Sequence, residues 1–244
     1  MVTERDYDAN PERFRAGSRI TAAYLRPGPT LYEKIARVIA ERRAARVLDL
    51  GCGDGAFGAA VCMLPDPPWV VGLDAAAALL STVPGPVVLA DVTAIPFADK
   101  VFDAVVAVNV FDHLPDPAVA VRAAHRVLRP GGALIAGAIS RRDSPELAAV
   151  WRPAPTPFDA EEAPGIVGSV FAHVTVDNWD APLLTLPDAA AIADYLIVRF
   201  VPPDQAVAKA HELPAPLVVT KRGTLVIASD SRATHRTGRD ANQA

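Results

Sequence analysis

Two hydrophobic rhythms divide this chain. Over residues 30–44, Leu31, Ile35, Val38 and Ile39 recur on one helical face, and Thr30 and Glu33 stand in capping-box spacing, so an amphipathic helix is predicted there. From residue 46 the rhythm changes to short β-branched runs: RVLDL, WVVGLD, PVVLAD, FDAVVAVNV and ALIAGAIS. Runs of helical period fall between them, such as GAFGAAVCML, AAAALLSTV and DPAVAVRAAHRVL. Strands that are apolar at nearly every position are buried on both faces, and their alternation with helices predicts an α/β fold with a doubly wound, mostly parallel sheet.

The flanks are less regular. Residues 1–45 read as a helical cap carrying Tyr7, Phe14, Arg15, Arg19 and Tyr24, residues 46–228 as the main domain, and residues 229–244, which lack periodicity, as a disordered tail. Within the main domain, residues 141–168 are rich in proline and charge and read as an insertion or lid. Beyond it, SVFAHVTVDNW suggests a strand, DAAAIADYLIVRF and PPDQAVAKAHEL suggest helices, and PLVVTKRGTLVIAS suggests a hairpin turning at KRG.

Composition narrows the function classes. With 244 residues, 51% of them hydrophobic, the chain can bury one sizeable core. No run approaches the ~18 apolar residues of a membrane helix, and the N-terminus lacks the apolar middle of a signal peptide, so a cytoplasmic protein without membrane contact is expected. A net charge of −4 argues against a nucleic-acid partner. Cys52 and Cys62 have no histidine at ligand spacing, so no metal site is expected and both thiols should be reduced. Oligomeric state stays open.

The chemistry centres on VLDLGCGDGAFG, residues 47–58, a strand running into a glycine-rich turn. Gly53, Gly55 and Gly58 match the dinucleotide fingerprint, a weak signal alone. A dinucleotide would place its pyrophosphate at this turn, where Asp49 and Asp54 would repel it. A ligand bearing an ammonium and a sulfonium suits such carboxylates better.

From this motif through HRVLRPGGALI, residues 46–140, the chain resembles the class I S-adenosylmethionine-dependent methyltransferases of the small-molecule, type 11-like kind. The resemblance implies a Rossmann-like, doubly wound seven-stranded sheet whose antiparallel last strand is inserted between strands five and six. It implies S-adenosyl-L-methionine as cofactor and a small-molecule acceptor. Donor contacts are implied for Asp49, Gly51, Cys52, Gly53 and Gly55 of the turn, and for Asp74, which would bind both ribose hydroxyls. Asp91 would accept from the adenine amine, Val92 would touch the ring, and Asn109 would lie beside the methionine part. Tyr7 is a candidate to close over the cofactor from the cap. An oxidoreductase using a nicotinamide cofactor and a cofactor-binding protein without turnover are the alternatives.

His113, just beyond the fourth predicted strand, is the candidate general base, with Asp112 second. Trp151, Phe158 and Trp179 are candidates to line an acceptor pocket. The tetrapeptide Asp66-Pro67-Pro68-Trp69 spells a motif of enzymes that methylate adenine amines, but it precedes the second strand instead of following the fourth, so a rigid turn is expected there.

Overall fold

A computed structural model describes residues 7–230. Two helices, α1 (Pro11–Tyr24) and α2 (Leu31–Glu41), precede a sheet built from β1 (Arg46–Leu50), β2 (Trp69–Asp74), β3 (Val87–Leu89), β4 (Phe102–Val108), β5 (Leu128–Ile139), β6 (His173–Leu186) and β7 (Leu217–Ser229). The intervening helices are α3 (Ala56–Val61), α4 (Ala77–Leu80), α5 (Pro117–Val127), α6 (Ala163–Gly168), α7 (Ala189–Ile197) and α8 (Pro203–Ala210). The strand order is β3-β2-β1-β4-β5-β7-β6. β1 to β5 pair in parallel, and β7 runs antiparallel between β5 and β6.

Alternation along the central strands sends their side chains into two cores. Leu48, Leu50, Val105, Leu134 and Val226 face α5 and α6, whereas Val47, Val106, Ile135 and Leu225 face α2 and α3. The helix predicted from Thr30 begins there, with both arms of its capping box formed and Ile35, Ala36 and Ile39 buried. None of the described helices is long and apolar enough to cross a membrane.

The C-terminal pattern departs from the expected hairpin. KRG is the middle of a single 13-residue strand, Leu217–Ser229. Gly223 serves close approach, because a Cβ there would overlap the Trp179 ring and come within 2.6 Å of the Ala138 carbonyl oxygen. The β5–β7 pairing ends at Ile139–Gly223, so residues 217–222 continue beyond the sheet paired only with β6. This ribbon, covered by α7 and α8, carries a third core containing Leu184, Leu186, Leu217, Val219, Ile192 and Leu196. The less regular N-terminal stretch is helical as α1, capped by the Asn10 side chain. The tail predicted over 229–244 lies outside the described residues from 231 on, and its first residue, Ser229, closes β7.

Gly223→Ala is therefore expected to destabilise the protein by ~1–3 kcal/mol through overpacking. Gly165, in α6 with open space where a Cβ would sit, is the control, and Gly165→Ala should be neutral or stabilise by ~0.5–1 kcal/mol. Equal thermal shifts for the two variants would contradict the crowding at Gly223.

Candidate functional site

The turn after β1 is fastened to β2 from both directions. The Gly51 and Cys52 amides donate to the Leu73 carbonyl at 2.7 and 3.1 Å, and the Gly53 amide donates to Asp74 Oδ2 at 2.9 Å. Asp74 Oδ1 accepts from the Ala76 amide at 2.9 Å. Gly51, Gly53 and Gly55 all take positive φ. At Gly53 the missing side chain also makes room for Phe14 of α1, whose Cζ would stand 2.6 Å from a Cβ. The Cys52 thiol points inward against Gly72, and burial together with Asp49 and Asp74 pushes it up to about 12, so its thiol is inert and its backbone shapes the turn.

Three carboxylates gather at this turn. Asp49 is buried, and its carboxyl accepts no hydrogen bond among the described residues. Burial, with Asp74 nearby, pushes it up to about 8. Tyr32 of α2 faces the same group, its phenol pushed upward by burial and then by Asp49 and Asp54. A phosphate would meet this negative field unfavourably, whereas a cation beside Asp49 would restore the carboxylate. The lone pairs left on the two Asp74 oxygens suit hydroxyl donors. These residues therefore fit the amino-acid and ribose parts of S-adenosylmethionine and do not fit a pyrophosphate.

The other expected residues stand along the same carboxyl edge. Asp91 follows β3, and Thr93 donates to its Oδ1 from both amide and hydroxyl, at 2.7 and 2.6 Å. Val92 is buried beside it. Asn109 ends β4 at φ 55, with its amide on the Gly137 carbonyl. Phe111–His113 forms a 3-10 turn immediately after, with Asp112 Oδ1 3.9 Å from His113 Nε2. Tyr7 packs edge-on against both His113 and Phe14, with ring centroids 5.9 and 5.3 Å away. Phe158 is buried edge-on against Phe111 at 5.1 Å.

Other candidates lie apart. Trp69 begins β2 at the opposite edge under Arg46, so the DPPW stretch is a turn far from the ligand edge. His125 bonds Asp230, His173 opens β6 at the opposite edge, and Trp179 packs on Gly223. Sequence reasoning gave no site role to Tyr32, or to the anchors of α1 on Ala78. Asp8 accepts from its amide and Arg15 donates to its carbonyl, both at 3.0 Å. Neither has a local signature, because each partner is more than 15 residues away in sequence.

A sheet of this order, with its antiparallel seventh strand and a glycine turn closing its first strand, defines the class I methyltransferase fold. Residues 48–136 match the family described as methyltransferase domain. The matched segment, with the fold around it, is that of the class I S-adenosylmethionine-dependent methyltransferases, whose methyl donor is S-adenosyl-L-methionine. It is 31% identical over 164 residues to 27-O-demethylrifamycin SV methyltransferase of Amycolatopsis mediterranei, covering 63% of this chain and 57% of that protein. Over 115 residues it is 35% identical to the ubiquinone biosynthesis O-methyltransferase of Pseudomonas aeruginosa, covering 43% of this chain and 49% of the relative. The chain thus spans about half the length of the curated relatives it matches. A SAM-dependent methyltransferase structure from Thermotoga maritima shares the fold, with a TM-score of 0.59 at 16% identity over 92% of this chain and 98% of that one.

The raised Asp49 carboxyl sets two signs. Between about pH 4 and 8 the folded, ligand-free protein binds more protons than the unfolded chain, so this group lowers stability as pH rises through that window. A cation seated beside Asp49 releases its proton, so S-adenosylmethionine affinity should climb between pH 6 and 7.5, by up to about tenfold per unit for one coupled proton. Asp49→Asn should weaken binding, flatten that slope and raise Tm at pH 8. Calorimetric titrations with the same pH slope in both proteins would exclude Asp49 as the cation partner.

Proposed function

We propose that the protein moves a methyl group from S-adenosylmethionine to a hydroxyl of a small-molecule acceptor. The observation that carries this reading is Asp49, a buried carboxylate that accepts no hydrogen bond among the described residues, set at a glycine turn that also presents Asp74. The names of the two relatives described above, both acting in small-molecule methylation and one termed an O-methyltransferase, support the acceptor class.

The donor supplies an electrophilic methyl on sulfur and leaves as a neutral sulfide, so no acid is needed for the leaving group. The chain's own task is alignment, for which orientation can be worth ~7–11 kcal/mol. Asp74, Asp91 and Val92 would hold the nucleoside end, and Asp49, Asn109 and the turn backbone the amino-acid end. The acceptor hydroxyl would lose its proton to His113 as the C–O bond forms and the C–S bond breaks. Tyr7, edge-on to the imidazole, and Asp112 on its own turn would restrain the ring.

Helix α1 would exclude water from the reacting centre. Near its N-terminus Arg15 reaches Ala78 and Arg13 lies over the Phe200 ring beyond α7, and just past its C-terminus the Arg26 amide donates to the Leu183 carbonyl of β6. It thereby crosses the glycine turn at Phe14. A nicotinamide enzyme is the weaker reading, because the same carboxylates would face a pyrophosphate.

Parallel titration with S-adenosylmethionine, S-adenosylhomocysteine and NAD tests the cofactor: micromolar binding of the first two alone is expected, and NAD binding would overturn the reading. Once an acceptor is in hand, His113→Ala should lower turnover ~10²–10⁴-fold with donor affinity retained. Unchanged turnover would remove His113 as the base and leave alignment as the whole of the catalysis.

A further inference from the structure

The ribbon formed by β6 and β7 carries a charged group where its pattern calls for an apolar one. Residues 217, 219, 221, 223 and 225 of β7 face one side of the sheet. Leu217 and Val219 belong to the core under α7 and α8, and Leu225 to the core under α2 and α3. Lys221 interrupts them. Its Nζ pairs with buried Asp143 and stands 3.4 Å from Tyr195 Oη and 3.5 Å from Ser144 Oγ. The break lies just past the final β5–β7 pair, outside the carboxyl edge of the sheet, where ligands of open α/β folds collect.

A second cation stands across the Tyr195 ring. The Arg199 guanidinium carbon is 3.3 Å from the centroid of that ring and 5.7 Å from the centroid of the Trp151 ring. Nη1 donates to the Tyr195 carbonyl at 3.0 Å, which uses one of five N–H donors. Among the described residues no carboxylate pairs with it. Desolvation pulls its pKa down; Tyr195 and then Asp143 oppose this, and Asp143 already accepts from Lys221, Ser144 Oγ and the Arg222 amide. The cluster thus holds two cations against one carboxylate. A desolvated charge without a counter-ion is costly, and an apolar side chain would pack there with less penalty.

We propose that Arg199, flanked by Trp151 and Tyr195, recognises the carboxylate of a planar acceptor, so that the acceptor class is an aromatic or conjugated acid. This rests on the methyltransferase reading and deepens it. The guanidinium offers a forked donor set that matches a carboxylate; the fully buried Tyr195 ring backs it on one side, and the half-buried Trp151 ring beside it offers a face for a flat ligand. Lys221 stays neutralised by Asp143 and holds Tyr195 in place through its hydroxyl.

The test compares matched pairs, 4-hydroxybenzoate with 4-hydroxybenzamide and p-coumarate with its amide, by ligand-observed NMR with and without S-adenosylhomocysteine. In at least one pair the acid should bind about tenfold or more tightly than the amide, and Arg199→Gln should erase that preference while leaving S-adenosylhomocysteine affinity unchanged. Arg199→Met should match or exceed the wild-type Tm, as expected for a cation kept for a ligand. Equal binding of acid and amide in both pairs, or an acid preference that survives Arg199→Gln, would overturn the proposal. A fall in Tm for Arg199→Met would likewise assign Arg199 a structural role. Failure of S-adenosylhomocysteine to bind the wild type would count against the donor reading instead, since the acid preference is measured without it as well.

Discussion

The contact between Asp74 and the Gly53 amide is the constraint on which the site depends. It joins the end of β2 to the turn after β1, and the Gly51 and Cys52 amides reinforce it by reaching the Leu73 carbonyl. A turn held this tightly exposes backbone where a side chain would otherwise stand. Phe14 uses that space, so the position of α1 follows from the absence of a Cβ at Gly53. Tyr7 leans on Phe14 and His113 on Tyr7, so the candidate base is linked by ring contacts to the same turn. One carboxylate–amide bond thereby sets the spatial relation between the donor side and the cap.

The cap is nevertheless the least deeply packed element of the site. No residue of α1 is fully buried, whereas α2, next in the chain, buries Ile35, Ala36 and Ile39. Its attachments are polar and ring contacts near its N-terminus and the partly buried packing of Ile20 and Tyr24 on the core under α7. Elements of this kind open at a lower free energy than core strands and helices. The arrangement separates a rigid floor, made by β1, β2 and β4, from a cover that can yield without disturbing it.

Much of the floor was legible in the sequence because its determinants are local. The run from Val47 to Gly55 encodes strand and turn together, and the placement of Asp74, Asp91 and Asn109 follows from strand ends that apolar runs make visible. The outer part of the sheet was not legible in the same way. KRG carries the local marks of a turn, yet Gly223 is required by Trp179, a cross-strand neighbour 44 positions earlier, and that requirement is tertiary. The cluster around Arg199 is similar, since Trp151, Tyr195 and Lys221 come from three separate elements and none has a telling neighbour in the chain. Asp49 is intermediate: its presence at the turn is a sequence observation, but its burial depends on packing.

The segment after β5 ties these two zones together. Arg141 grips Asp159 with a two-pronged bond, both contacts 2.8 Å, and also reaches Glu162, while the Ala160 amide returns to the Ile139 carbonyl. Phe158, adjacent to Asp159, is thereby seated on Phe111, the residue that begins the His113 turn. The same segment supplies Asp143 to Lys221 at its start and Trp151 to Arg199 in its middle. A single stretch of chain thus touches both the turn bearing the candidate base and the cationic cluster. On the proposed reading, changes within it would alter which molecule is received and where its hydroxyl lies relative to His113, while the candidate donor site, built from residues before 110, would remain intact. If the proposed sites hold, acceptor choice varies on this fold without rebuilding the donor site, because the two draw on different lengths of the sequence.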